Sequence, residues 1–295
     1  MNSDTRRRVS RTIAAGGGAV ALVALIAIGL SQRTADAPIA WATLDTEDVH
    51  ALAFSPDDAQ RLYVGHHGGL LESRDGGRSW RPAALSDADA MIVRATDGGR
   101  IQVAGHEVYL ESTNGGTRWQ PVPNDLPGPD IHALAADPAD ADHAWAFVTG
   151  FGLFETADAG RRWELRQPGN WGYLAAVRDG SRTGLIAVGP DGLARSLDGG
   201  GSWEPLAYPG APLAGGIAAA RDGSVLYAAT AAGLRRSTDQ GQTWNETGFD
   251  EGVALALAVA PDDPLDVALV DDSRRFYRSQ DGGASWPGPD GSVSR

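Results

Sequence analysis

One pattern, Ser/Thr-x-Asp/Asn-x-Gly-x-x-Trp, recurs six times along this chain and confines it to a small set of architectures. The copies are Ser73, Asp75, Gly77, Trp80; Ser112, Asn114, Gly116, Trp119; Thr156, Asp158, Gly160, Trp163; Ser196, Asp198, Gly200, Trp203; Ser237, Asp239, Gly241, Trp244; and Ser279, Asp281, Gly283, Trp286. Counted from Trp41, which opens a similar segment with no box before it, successive tryptophans lie 39, 39, 44, 40, 41 and 42 residues apart. A period near 40 marks a stacked or radial repeat, because a unit of that size cannot bury its apolar face alone.

Each period contains short apolar or alternating runs separated by Gly, Pro, Asn and Asp, the punctuation of strands joined by tight turns. The first period shows the grammar: Val49 to Ser55, Arg61 to Gly65, Leu70 to Ser73, the box, and a strand after Trp80. Four short strands per period describe a propeller blade. The segment Trp41-Ala42-Thr43-Leu44 matches the strand that comes after a box, whereas Trp286 is succeeded by Pro287-Gly288-Pro289, a poor strand. The expected fold is therefore all-β: a six-bladed β-propeller of four-stranded antiparallel blades, closed by an N-terminal strand that completes the last blade and removes its free edge.

Within the box, glycine supplies a positive-φ turn position, the hydroxyl and carboxylate bond turn backbone that lacks a ladder partner, and tryptophan covers the turn. These acids are expected to be structural, since six turns spaced around a rim cannot converge on one substrate. The boxes resemble the BNR or Asp-box repeats of sialidases, xyloglucanase-like glycoside hydrolases, sortilin-type receptors and the photosystem II assembly factor group. The resemblance implies the fold over residues 41 to 286. Asn114 in place of the acid, and Arg118 and Arg162 before the tryptophan, depart from the usual pattern. The Arg-Ile-Pro signature of the sialidases is missing, and the plan of one export segment and then one propeller is most similar to the assembly-factor group.

Ile13 to Leu30 is an uncharged apolar run preceded by Arg6, Arg7, Arg8 and Arg11. At ~1.5 Å per residue it approaches the ~30 Å hydrocarbon core, and the positive-inside rule places the residues after Ser31 outside the cytoplasm. The expected organisation is a basic cytoplasmic tail at 1–11, a transmembrane anchor or signal helix at 12–31, a linker at 32–38, the propeller at 39–290 and a tail at 291–295. The expected location is the cell membrane, single-pass, with the propeller periplasmic or at the cell surface, or secreted if the segment is cleaved. The net charge is −13 although the amino terminus is basic, so the propeller is acidic and nucleic acid is not an expected partner. With no cysteine, disulfides and thiolate chemistry are excluded.

In such blades the loops entering the first strand and joining the second and third share one face, opposite the boxes. That face is the expected binding surface: Asp48, His50, His66, His67, His106, Glu107, Asp130 and His132, with Trp171 and Tyr173 as exposed aromatics on the same rim. The entering loops also carry Asp45, Glu47, Asp87, Asp89, Asp125, Asp250 and Glu251. The expected partner at this mouth is a protein or a carbohydrate, and the membrane is met through the N-terminal helix. No cofactor is required; a divalent metal is compatible with His50, His66 and His132, as imidazole and carboxylate are ordinary ligands of zinc-like ions. The longest interval adds residues at Asn124 to Asp130 and Asp137 to His143, expected to decorate the binding face. The leading functional expectation is a non-catalytic binding or assembly scaffold for an envelope protein; the alternative is a glycoside hydrolase using Asp48 and Asp130.

Overall fold

The structure, a computed structural model, describes residues 43–46, 48–189, 191–287 and 293–294. The tail and anchor expected at 1–31, the linker, Trp41 and Glu47 lie outside the described residues, and among those described no helix is long and apolar enough to cross a membrane.

The chain winds through six blades. Blade 1 is β1 (Ala51–Ser55), β2 (Asp58–His66), β3 (Gly69–Ser73) and β4 (Arg81–Ser86); blade 2 is β5 (Ile92–Thr96), β6 (Arg100–Gly105), β7 (Val108–Ser112) and β8 (Gln120–Pro121). Blade 3 is β9 (Ile131–Asp137), β10 (Asp140–Val148), β11 (Gly152–Thr156) and β12 (Glu164–Pro168); blade 4 is β13 (Gly172–Asp179), β14 (Arg182–Gly189), β15 (Gly192–Ser196) and β16 (Glu204–Pro205). Blade 5 is β17 (Leu213–Ala219), β18 (Leu226–Thr230), β19 (Gly233–Ser237) and β20 (Asn245–Glu246), and blade 6 contributes β21 (Ala254–Ala260), β22 (Asp263–Asp271) and β23 (Phe276–Ser279). Within each blade the strands described pair antiparallel with their sequence neighbours, as hairpin connections of this length require.

Blade 6 is completed from the other end of the chain. Thr43 bridges Arg275, Leu44 N donates to Arg274 O at 2.9 Å, and Arg274 Nη1 donates to Thr46 O at 2.8 Å. Trp286 and Pro287 form β24 (Trp286–Pro287), which pairs with β25 (Val293–Ser294) instead of extending β23.

The second strand of each blade has both faces buried, which explains why its sequence is nearly continuous in apolar residues rather than alternating. Successive side chains serve opposite neighbours: Leu62 and Val64 pack toward blade 6 while Tyr63 packs toward blade 2. Likewise Ala144, Ala146 and Val148 face blade 2 and Trp145 and Phe147 face blade 4. Six apolar clusters result among the described residues, one at each blade interface, and the cluster joining Val270 and Phe276 to Leu52 and Leu62 closes the ring.

The boxes share one pattern of hydroxyl and acid hydrogen bonds, and in all but the fifth the tryptophan donates to the carbonyl of the box glycine; Trp244 Nε1 donates to Ala207 O instead. In the first, Ser73 Oγ accepts from Gly77 N (2.9 Å) and donates to Asp75 Oδ1 (2.9 Å), Asp75 accepts from Ser79 N (2.9 Å), and Trp80 Nε1 donates to Gly77 O (3.1 Å). Gly77 has φ 94°, a left-handed value that L residues avoid, and a Cβ there would lie 2.0 Å from the Phe276 ring. Arg162, which departs from the usual hydroxyl, supplies its guanidinium instead: Nε donates to Asp158 Oδ2 at 2.9 Å. The box turns also bond backbone at the junction of strands 1 and 2, as in Gly76 N to Gln60 O and Gly115 N to Gly99 O. Boxes and first hairpins therefore share one face, and the turns at His66–His67 and His106 lie on the other.

Candidate functional site at the propeller mouth

Asp48, Asp89 and Asp130 each precede the first strand of blades 1, 2 and 3, and His67 and His106 occupy the turns between the second and third strands of blades 1 and 2. Because the repeat superposes these positions, each turn histidine lies between the entering aspartates of its own blade and the next. His67 Nδ1 is 2.8 Å from Asp48 Oδ2 and its Nε2 is 3.7 Å from Asp89 Oδ1. His106 repeats this one blade on, with Nδ1 2.6 Å from Asp89 Oδ2 and Nε2 3.4 Å from Asp130 Oδ1. An alternating chain, Asp48, His67, Asp89, His106, Asp130, thus runs along the rim.

Two further histidines start the inner strands beside it. His50 Nε2 is 4.0 Å from Asp89 Oδ1 and its ring stands edge-on to His67 at 4.4 Å. His132 Nε2 lies 2.9 Å from Asp130 Oδ1 and 3.2 Å from His106 Nε2. Burial, and next the neighbouring His67, hold the His50 imidazole below its ordinary pKa; burial, then His50 and His67, do the same for His66. Three buried atoms of the group, His50 Nε2, Asp89 Oδ1 and Asp130 Oδ1, make no hydrogen bond among the described residues. A cavity of about 640 Å³ opens beside the group, with Asp48, His50, His132 and Tyr173 on its rim and Leu52 and Leu257 in its walls.

The other expected rim residues behave differently. His66 Nδ1 accepts from Gly68 N at 3.1 Å, so it serves its own turn and stands outside the two groups that, among the described residues, could hold a metal ion: His50, His67, Asp89 and His106, Asp130, His132. Glu107 is exposed at a positive φ of 57°, its N–H spent on Pro129 O. Tyr173 is 40 % exposed and donates to Ala214 O, whereas Trp171, expected to be exposed, is only 7 % exposed. It stacks on the box tryptophan Trp203 at 4.3 Å, because this blade has only Gly189 where a side chain would otherwise fill the gap. Asp125 leaves the rim to accept from Trp163 N at 2.9 Å. The Asp137–His143 insertion lies on the box face, where Asp137 accepts from Thr183 of blade 4 and Asp142 pairs with Arg100 of blade 2, so it fastens blades together. Asp89 is the residue whose role the sequence understated; its signal was its equivalence in the repeat to Asp48 and Asp130.

Fold, boxes and rim together define a BNR/Asp-box β-propeller. The family model of the photosynthesis system II assembly factor YCF48 matches residues 32–288, and the chain belongs to that family. Among solved structures, a GH74 enzyme from Niastella koreensis is 17% identical with a TM-score of 0.56, covering 83% of this chain and 47% of its own. This chain therefore spans about half of that enzyme. YCF48 from Cyanidioschyzon merolae is 21% identical with a TM-score of 0.53 over 84% of this chain and 87% of its own, and a YCF48 bound to D1 peptide is 23% identical with a TM-score of 0.52 over 83% of each. At these identities the likeness is one of fold. No curated protein matches the sequence.

Proposed function

We propose that this chain is a non-catalytic binding scaffold, tethered to the membrane by residues 12–31, whose extracytoplasmic propeller holds an envelope protein at the histidine- and aspartate-bearing mouth. The observation that carries this reading is the cavity of about 640 Å³, which joins apolar walls to a polar rim, the composition of a site for a protein segment. Membership of an assembly-factor family supports it, as does the relative described as bound to D1 peptide. The test is recovery of partner from detergent-solubilised membranes by native protein and by a variant combining Asp48→Ala, His50→Ala and His132→Ala. Partner recovery is expected to fall at least roughly tenfold, the loss of a central contact of about 1.4 kcal/mol or more; recovery equal to native would overturn the mouth as contact surface.

Glycoside hydrolysis by Asp48 and Asp130 is the second reading, supported by their position at one mouth. Such chemistry needs one carboxyl group that keeps its proton beside another that does not. Here His67 donates to Asp48, two imidazoles crowd Asp130, and Asp89 with its histidines stands between them. Release of reducing sugar from xyloglucan, lost on Asp48→Asn or Asp130→Asn, would displace the scaffold reading.

A further inference from the structure

We propose that the edge of the mouth between blades 2 and 3 is a binding site for one zinc-like divalent transition-metal ion, held by His106 Nε2, His132 Nε2 and Asp130 Oδ1. The site stands whether or not the mouth also receives a protein.

The three atoms form a triangle with edges of 3.2, 2.9 and 3.4 Å. Ligand atoms about 2.0–2.1 Å from a tetrahedral ion are separated from one another by about 3.3 Å, so each edge is within roughly 0.4 Å of the required size. Two imidazoles and a carboxylate form a donor set suited to zinc, in a chain that offers no thiolate.

The outer contact of His106 points the same way. Asp89 Oδ2 lies 2.6 Å from His106 Nδ1, so that nitrogen faces the carboxylate and Nε2 is the one turned toward Asp130 and His132. A carboxylate on the far nitrogen of a ligating histidine is the usual means of orienting such a ring and raising its basicity. Asp130 Oδ1 is buried and lacks an aligned hydrogen-bond donor, although two imidazole nitrogens lie within 3.4 Å. Simple His–Asp hydrogen bonding explains the contact of His67 with Asp48 but leaves this oxygen unsatisfied; a cation shared by the three atoms satisfies all of them.

The backbone fixes the geometry in advance. His106 and Asp130 form an antiparallel bridge, and Thr149 N donates to Asp130 O at 3.0 Å. His132 is the extra residue of a bulge in β9, between Ile131, which pairs with Val148, and Ala133, which pairs with Phe147, and its Nε2 lies 2.9 Å from Asp130 Oδ1. His106 and His132 keep 49% and 34% of their side-chain surface exposed, which leaves the fourth ligand position open to water or to a partner's side chain. The neighbouring trio is wider, at 3.7 and 4.0 Å from Asp89 Oδ1, and its carboxylate is already committed to His106.

The test uses the full-length chain without a histidine tag, stripped with a chelator and titrated with zinc chloride and, in parallel, cobalt(II) chloride. One equivalent of zinc is expected to bind at this tripod, and cobalt should develop the intense visible bands of a four-coordinate ion. His132→Ala and the near-isosteric Asp130→Asn are each expected to weaken binding by more than about 100-fold and to remove those bands, and Asp89→Asn to weaken it by about 10- to 100-fold. His143→Ala, among the ion pairs of the opposite face, should bind as native. Native protein that takes up no zinc, or folded His132→Ala and Asp130→Asn proteins that bind like native, would overturn the site; Asp130→Asn decides the matter even if His132→Ala fails to fold.

Discussion

Asp158, Asp198 and Asp239 show how little exposure says about the state of a carboxylate. Hydrogen bonds from Arg162 at Asp158, from Ser202 at Asp198 and from Thr243 at Asp239 hold each of them down at about 2. Such groups are poor general acids, which agrees with their structural role. Their folded-state values lie below the ordinary 3.8, so the stability they contribute is present above pH 3.8 and is lost as pH falls toward about 2. Replacing all three by asparagine, the residue already present as Asn114, should flatten the stability profile across that window, as checked by urea unfolding above and below it. Asn114 shows that the turn itself survives the change, accepting from Arg118 N at 2.9 Å as the aspartates do. At this scale the box residues were legible because turn chemistry is local; Trp171 was not, since its burial depends on Gly189 and Trp203 across the blade.

Strands of one blade are fastened to the box of the next by side chains that carry no repeat signature. Arg61 donates to Gly115 O, Gln102 to Ala159 O, Trp145 to Gly199 O, Arg195 to the Gln240 side chain, and Arg278 to Gly76 O. The chemistry varies from blade to blade while the target, a box turn of the next blade, stays the same, so periodicity alone did not reveal it. Arg278 also forms a buried pair with Asp266 and lies over the Phe54 ring at 5.2 Å. Asp266→Ala leaves that guanidinium without its partner inside the protein and should cost about 3–5 kcal/mol, whereas Asp266→Leu combined with Arg278→Met should recover most of the loss. Urea unfolding of the single and double variants measures the difference.

For the molecule as a whole, the decisive property is that the ring closes. Inner strands contact one another in order around the axis, and β21 returns to β1. Leu44 is 2% exposed and joins the apolar cluster between blades 6 and 1, so the segment near the amino terminus belongs to the core of the last interface. Leu44→Ala should cost about 2–5 kcal/mol, and hydrogen exchange should quicken in β23 and β1 before the remaining blades. Closure also creates the mouth, because three consecutive blades bring their entering aspartates and turn histidines onto one rim.

The number of blades, the strand grammar, the structural character of the boxes and the acidity of the domain were determined by the sequence itself, since each arises from a fixed period or from turn and charge chemistry acting over a few residues. Tertiary structure alone decided which rim residues meet. His106 and Asp130 come from different blades, His67 reaches Asp89 across an interface, and Trp171 turns inward; separations of this kind depend on blade packing and side-chain direction, on which a linear spacing carries no information.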